Sequence, residues 1–461
     1  MSLLLTFFGD DNTGSTDSMD ALAKGGVNTV LFLSPPAPTD LLRFPGVQAV
    51  GVAGMTRTMP PDEMEEMLAP AFVALNALGA PLCHYKVCST FDSSPHVGSI
   101  GRAIDVGSRV FGAMVVPLLV GAPALRRYTL FGNLFATVGP QTHRLDRHPT
   151  MSRHPVTPMN ESDLRVHLAQ QTSKRVGLFD ILALQGNYAE VTFRFDAALA
   201  QSQAEVMLFD VLDEERLATA GELLWRQTNV GSRFVVGSSG VEYALVHAFR
   251  SHGLIPRTPP SFAAITPVKQ VLVVSGSCSP VTQSQIDHAL GSERGFEGFE
   301  VDAVALLDAA TAAGAREAAV KQALRILDQG RSPLLYSARG PEDERIKRAE
   351  AAWRTKNSDS GGPGRALGEQ LGMIVRAALE RWNENGPRLQ RVVVAGGDTS
   401  GHGARRLGVQ ALRVLSPTVP GAPLCRAYSS DPVVDGLQVL LKGGQVGPAD
   451  FFTSIRDGGF R

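Results

Sequence analysis

Several short segments of this chain place acidic, basic or hydroxyl side chains directly after apolar runs. The first reads Gly9-Asp10-Asp11-Asn12-Thr13-Gly14-Ser15-Thr16-Asp17. Two adjacent carboxylates beyond a strand end can accept a proton from a substrate hydroxyl or orient it. The competing reading is that Asp10 or Asp11 caps the helix that follows, a common use of Asp. In the second segment, Thr56-Arg57-Thr58, a guanidinium can grip a carboxylate through two parallel hydrogen bonds. The competing reading is that Arg57 is a solvated or ion-paired surface arginine. The third segment, Lys86-Val87-Cys88-Ser89-Thr90, leads to Asp92. Lys86 could neutralise a substrate carboxylate or a phosphoryl group in transfer, or simply face solvent. Strand alternation would set Lys86, Cys88 and Thr90 on one face and Ser89 on the other. Nothing local activates Cys88, which reads as a small buried hydrophobe and not as a nucleophile.

The second half carries glycine turns instead. Val273-Val274-Ser275-Gly276-Ser277-Cys278-Ser279-Pro280 is a strand entering a Gly/Ser turn before a helix, a geometry that offers N–H groups and hydroxyls to a phosphate. Val394-Ala395-Gly396-Gly397-Asp398-Thr399-Ser400-Gly401 repeats the pattern, and Asp398 could hold Mg²⁺ directly or through water. Its plain alternative is a capped glycine turn. Leu441-Lys442-Gly443-Gly444 is a third such turn. No Gly-x4-Gly-Lys-Ser/Thr and no post-strand Gly-x-Gly-x-x-Gly occurs, so a dinucleotide oxidoreductase lacks its fingerprint. His143, His148 and His154 match no metal-ligand spacing and read as surface or loop histidines.

These segments need a scaffold that brings strand ends together. The 461 residues, 44% hydrophobic and 19% charged, suffice for two α/β domains with substantial cores. Apolar runs alternate with helical stretches: strands at 3–8, 27–33, 47–53, 84–88 and 114–119, helices at 15–24, 61–78 and 100–108. The proline-rich stretch 251–267 reads as a linker. Alternation then resumes with strands at 270–274, 333–337 and 391–395 and helices at 282–290, 315–329, 364–383 and 399–407. Residues 359–364, Asp-Ser-Gly-Gly-Pro-Gly, read as a mobile loop. The expected fold is α/β: two doubly wound domains with mainly parallel sheets and an interdomain cleft.

A net charge of −1 gives no support for a nucleic-acid partner, and no apolar run is long enough to cross a membrane. The four scattered cysteines suit a reducing compartment, and the apolar start lacks the basic region of a signal peptide. A cytoplasmic protein is expected. A homo-oligomer is compatible with the composition, which does not set the oligomeric state.

Taken together, the segments resemble the four-carbon acid sugar kinase family, formerly a domain of unknown function. The resemblance rests on Asp10-Asp11-x-Thr13-Gly14-x-x-Asp17, Lys86-x-x-Ser89-Thr90 and His154-Pro155-Val156-Thr157-Pro158-Met159. It continues in Ser275-Gly276-Ser277-Cys278-Ser279-Pro280-Val281-Thr282, Gly396-Gly397-Asp398-Thr399-Ser400-Gly401 and Leu441-Lys442-Gly443-Gly444, and so spans nearly the whole chain. It implies a sugar-acid-binding domain at 1–255 and a nucleotide-binding domain at 256–461. Asp10 or Asp11, Arg57 and Lys86, Cys88, Ser89 and Thr90 would contact the sugar acid. Ser277, Gly396, Gly397, Asp398, Thr399 and Gly443 would contact ATP with Mg²⁺. The implied activity is ATP-dependent phosphorylation of a hydroxyl on a small sugar acid in carbohydrate-acid catabolism, with Asp10, Asp11 and Lys86 as the catalytic set. Members acting on threonate or erythronate carry Asp-Ser-Thr-Leu-Arg-Gly-Asn after the lysine. Here Cys88 stands for the aspartate and Asp92 for the arginine, a variant more similar to the branch acting on 3-oxo-isoapionate. A sensor that binds nucleotide and sugar acid without turnover is the alternative from another class.

Overall fold

The computed structural model describes residues 3–154, 156–228, 233–291, 294–356 and 362–460, without the side chains of Lys356 and Asp398. Pro155 and residues 359–361 of the expected mobile loop therefore lie outside the described residues, while 362–364 begin the helix Gly362–Asn385. By packing, the chain divides into one unit of Met1–Val30 and Ser34–Pro260 and a second of Leu31–Leu33 and Ser261–Arg461. The domain limits 1–255 and 256–461 are kept as a proposal.

The strands in chain order are β1 (Leu5–Gly9), β2 (Thr29–Phe32), β3 (Ala49–Ala53), β4 (Cys83–Lys86), β5 (Val116–Leu119), β6 (Arg127–Leu130), β7 (Asn133–Val138), β8 (Gln141–Arg144), β9 (Val176–Phe179), β10 (Val206–Phe209) and β11 (Phe234–Gly237). There follow β12 (Leu272–Ser275), β13 (Phe296–Glu300), β14 (Ser332–Tyr336), β15 (Arg391–Ala395), β16 (Ala411–Ser416), β17 (Leu424–Tyr428) and β18 (Gln438–Lys442). In the first unit the order β3-β1-β4-β11-β5-β10-β9 is parallel throughout, with β2 beside β3. In the second, β13-β14-β12-β15-β18 is parallel and β17 and β16 close the row antiparallel. Leu31 and Phe32 pair antiparallel with Leu412 and Ala411. The α/β architecture with mainly parallel sheets is as expected.

Adjacent residues on β4 show how the first sheet is covered on both faces, since neighbours along a strand point to opposite sides. Tyr85 packs with Phe8 and with Phe72 of the helix Pro61–Ala77, whereas His84 faces Glu242 of the helix Gly240–Ser251. Phe72 is the hub of the first face, with ring centroids 6.1 Å from Phe8, 6.0 Å from Tyr85, 5.8 Å from Phe111 and 5.3 Å from Phe234. Proline at the first position and Asp62 and Glu63 in the first turn start this helix, as the helix dipole favours.

Three details differ from the sequence reading. β4 ends at Lys86, so the alternation drawn through Cys88 and Thr90 does not exist; a turn follows, with Phe91 in the left-handed region at φ 55°. Residues 127–144 form a separate three-stranded antiparallel sheet, β6-β7-β8, where no element was expected. The strands β9, β10, β11, β13, β16 and β17 also add to the expected set, while β18 is the strand whose end the third glycine turn marked.

Because Phe72 is fully buried among four rings, Phe72→Ala should lower stability by about 3–5 kcal/mol. Guanidinium unfolding of the variant should show an earlier midpoint for the first unit's transition; an unchanged midpoint would contradict this packing.

Candidate active site

The register aligns the ends of β1, β3 and β4, because Gly9 pairs with both Ala53 and Lys86. Ligands in such sheets collect beyond the carboxyl ends of the strands, and there the first three segments meet. Asp10, Asp11 and Arg57 form one clamp. Arg57 Nε donates to Asp10 Oδ2 at 3.0 Å and Nη2 to Asp10 Oδ1 at 2.7 Å. Nη1 donates to Asp11 Oδ2 at 2.7 Å. Backbone bonds reinforce it: Arg57 N–H donates to the Asp10 carbonyl at 3.0 Å and Gly54 N–H to that of Gly9 at 2.9 Å. The bidentate edge of Arg57 is thus committed to the protein's own carboxylate, as in the ion-paired reading of this arginine and not as a guanidinium free for a substrate acid.

The two aspartates differ. Asp10 is buried, and burial raises its pKa above the usual carboxylate value while Arg57 pulls it back down. Asp11 keeps 23% of its side chain exposed, and its Oδ1 accepts from Gly14 N–H at 2.6 Å. Asp11 is therefore the N-cap of the helix Asn12–Gly25, the plain reading of this segment. Lys86 is buried, with Nζ donating to the Val87 carbonyl at 3.0 Å. Asp17 lies under the same lysine; burial raises its pKa and the Lys86 charge lowers it in part.

Beyond Lys86 the turn joins Cys88, Thr90 and Asp92. Thr90 Oγ1 donates to Asp92 Oδ1 at 2.6 Å and lies 2.9 Å from Cys88 Sγ. Burial pushes Asp92 up, but Arg57 and the hydrogen bonds from Thr90 and Cys88 outweigh it and leave it low. The Cys88 thiol is pushed up to about 11, chiefly by burial and next by Asp92, which rules out a thiolate at neutral pH. Ser89 is half-buried at the start of the turn.

The second unit uses backbone where the first uses charge. Ser275 pairs with Ala395 and Ala395 with Lys442, so the three glycine turns leave β12, β15 and β18 side by side. Ser279 caps the helix Pro280–Leu290, accepting from Thr282 N–H at 3.1 Å. Ser279 Oγ and Thr282 Oγ1 both donate to the Gly444 carbonyl, at 2.5 and 2.9 Å, and tie two turns together. A Cβ on Gly276 would lie 2.4 Å from Thr399 Oγ1, and one on Gly444 2.7 Å from Ser277 Oγ. Gly396 adopts φ 129°, which a side chain would resist. An open cavity of about 430 Å³ is lined by Ser277, Ser279, Gly396, Gly397, Thr399 and Gln445 among others. The amides and hydroxyls at the starts of two helices suit a polyphosphate. Asp398, the expected metal ligand, has its side chain outside the described residues, and among those described no cluster of acidic, His or Cys residues could hold a metal ion.

Lys442, beneath the third turn, was not singled out as a contact by sequence. It is fully buried, and its Nζ donates to the Gly443 carbonyl at 2.9 Å and to Thr282 Oγ1 at 3.2 Å. Burial alone lowers its pKa to about 8. His148 lies in a loop, one of the two places expected for it, but is buried there at 5% exposure.

Residues 5–245 match the model of a sugar-binding N-terminal domain and residues 272–452 that of a nucleotide-binding C-terminal domain. A 3-oxo-isoapionate kinase of Paraburkholderia graminis is 49% identical over 456 residues, 99% of this chain and 94% of that protein. A 3-oxo-tetronate kinase of Methylobacterium radiotolerans is 30% identical, with 99% of each chain covered. Among solved structures, a Salmonella typhimurium chain with a provisional tRNA synthase name aligns at TM-score 0.75 and 25% identity over 98% of both chains. A Haemophilus influenzae protein from a family of unknown function shares the fold at TM-score 0.70 and 22% identity, over 97% of this chain and 98% of that one. This chain belongs to the four-carbon acid sugar kinase family.

Proposed function

We propose that this protein transfers the γ-phosphoryl group of MgATP to a hydroxyl of 3-oxo-isoapionate or a closely similar oxo sugar acid. The observation that carries the substrate is the full-length, 49% identical relative named for it, together with Cys88 and Asp92 after the lysine. Nothing among the relatives favours a non-catalytic sensor.

Phosphoryl transfer depends on positioning and charge neutralisation more than on covalent help. Asp11 orients the acceptor hydroxyl and takes its proton, because it is the carboxylate of the clamp with exposed surface. Asp10 and Arg57 hold Asp11 in place from below. Lys86 supplies positive charge beside the reacting oxygen. In the second unit Ser277, Gly396, Gly397, Thr399 and Gly443 cradle the nucleotide phosphates. Mg²⁺ would come with ATP as part of the substrate, and Asp398 would be its protein ligand, supplying an oxygen as this ion prefers. Lys442 props the Gly443 turn and gives the phosphates a nearby cation. No helix among the described residues is long and apolar enough to cross a membrane; the cytoplasm, where ATP is plentiful, is the location we propose.

A coupled ADP-release assay over 3-oxo-isoapionate, 3-oxo-tetronate, threonate and erythronate should give its highest kcat/KM with the first. Turnover of none of the four would sink the kinase reading.

Asp11→Asn keeps the cap, since Asn caps as well as Asp, and removes the charge together with the partly exposed acceptor of Arg57 Nη1. Its kcat should fall by about 10²–10⁴-fold with little change in melting temperature. Asp10→Asn should instead lose about 3–5 kcal/mol of stability, because the half-buried Arg57 loses its bidentate partner. The reverse pattern would exchange the two roles.

Lys442 also sets a pH dependence. Its folded value of about 8 lies below the ordinary 10.5, so the unfolded chain binds more protons between those values. Stability of the free protein should therefore rise as pH climbs from 8 to 10.5, by on the order of 3 kcal/mol. Lys442→Met should abolish that rise; equal slopes in denaturant titrations of both proteins would contradict it.

A further inference from the structure

A sugar acid needs a cation for its carboxylate, and Arg57 is poorly placed to be it. Its bidentate edge is filled by Asp10, its Nη1 serves Asp11, and the Asp92 charge also reaches it. A substrate carboxylate brought there would face three carboxylates of the protein.

Arg127 presents the opposite surroundings. It opens β6, pairs with Ala136 on β7, and belongs to the small antiparallel sheet. Its Nη1 donates to the carbonyls of Leu125, Arg126 and Thr137, at 2.9, 3.2 and 3.3 Å. Its Nε is buried and has no hydrogen-bond partner, and no carboxylate pairs with it among the described residues. Four titratable groups interact with its charge: its chain neighbours Arg126, itself a cation, and Tyr128, and beyond them Cys88 and His148, the two that could oppose or share it. Neither can balance it. The thiol stays protonated at neutral pH. His148 Nδ1 accepts from the N–H groups of Thr150 and Met151, each at 3.2 Å, so its ring is neutral with the proton on Nε2. His143, whose ring lies 5.9 Å from that of His148, adds no negative charge. A largely desolvated guanidinium with an unused N–H, a cationic neighbour in Arg126 and no anion beside it is an incomplete ion pair.

We propose that Arg127 binds the carboxylate of the sugar-acid substrate, with the Cys88–Thr90 turn lying between it and the Arg57 clamp. This rests on the reading of the substrate as a sugar acid. Cys88 is within electrostatic reach of both arginines. The substrate thus lies across the turn, its hydroxyl end toward Asp11 and Lys86 and its acid end toward the small sheet. Cys88 leaves Arg127 uncompensated, and a carboxylate at that position would occupy it.

The test compares 3-oxo-isoapionate with its carboxamide, which keeps every hydroxyl and lacks the charge. Affinities are read by calorimetry without ATP, on wild type, Arg127→Met and Arg127→Gln, with melting temperatures recorded in parallel. Wild type should prefer the acid, and both variants should lose about 10- to 100-fold in affinity for it while binding the amide as before. Arg127→Gln keeps a polar, hydrogen-bonding side chain without the charge and decides the matter if the methionine variant fails to fold. A variant that binds the acid as wild type does, or that loses acid and amide equally, overturns the proposal, as does a wild type with no preference. A wild type that binds the acid by this pattern but never phosphorylates it would sink the kinase reading and leave this role of Arg127 standing.

Discussion

Two neighbouring carboxylates at the end of a buried strand cannot both stay charged without a cation held against them. Arg57 meets that requirement, and much of the first unit's site follows from it. The guanidinium comes from the turn after β3, the carboxylates from the turn after β1, so their pairing locks two strand exits into one rigid corner. With Asp11 held, its second oxygen is free to start the helix Asn12–Gly25. That helix start in turn brings Gly14 over Lys86. The clamp is therefore a structural device first, and its chemistry is borrowed from the orientation it enforces.

The second unit reaches a comparable rigidity by other means. Its turns carry little charge, and they are tied by hydroxyls onto a single carbonyl, that of Gly444. Such a surface of amides and hydroxyls adapts to phosphates without carrying the desolvation cost of several buried cations. Lys442 is the exception, a lone charge whose hydrogen bonds go to neutral oxygens and whose ammonium lies 5.8 Å from the centre of the Phe451 ring. The clamp at Arg57 is thus an ion pair already complete, whereas Lys442 leaves its negative partner to come from outside.

Much of this was legible in the residues. Parallel strands rich in Val and Leu announce themselves as continuous apolar runs, and 391–395 was read to the residue. The segments at strand ends were equally clear, because Gly, Asp and Ser after an apolar run mark a turn. Two things were hidden. The direction of Arg57 could not be read, since nothing in Thr56-Arg57-Thr58 says that its partner sits 47 residues earlier. Arg127 and His148 were hidden for a different reason: the small sheet at 127–144 is only half buried, its alternation is interrupted by polar residues, and neither side chain lies in a recognisable spacing. The helix cap at Asp11 shows how a plain reading and a functional one can coexist, because capping occupies one carboxylate oxygen and leaves the other to the arginine.

The bare Cα of Gly14 lets the two charges stay together. A methyl group there would stand 2.6 Å from Asp11 Oδ1 and 2.8 Å from Lys86 Nζ, so the two opposite charges crowd the same side of one backbone atom. Any larger residue would wedge anion from cation. Divergence toward other acids is thereby steered away from this helix and onto the turn at 88–92 and the hairpin beyond it, where side chains can change without prying the charges apart.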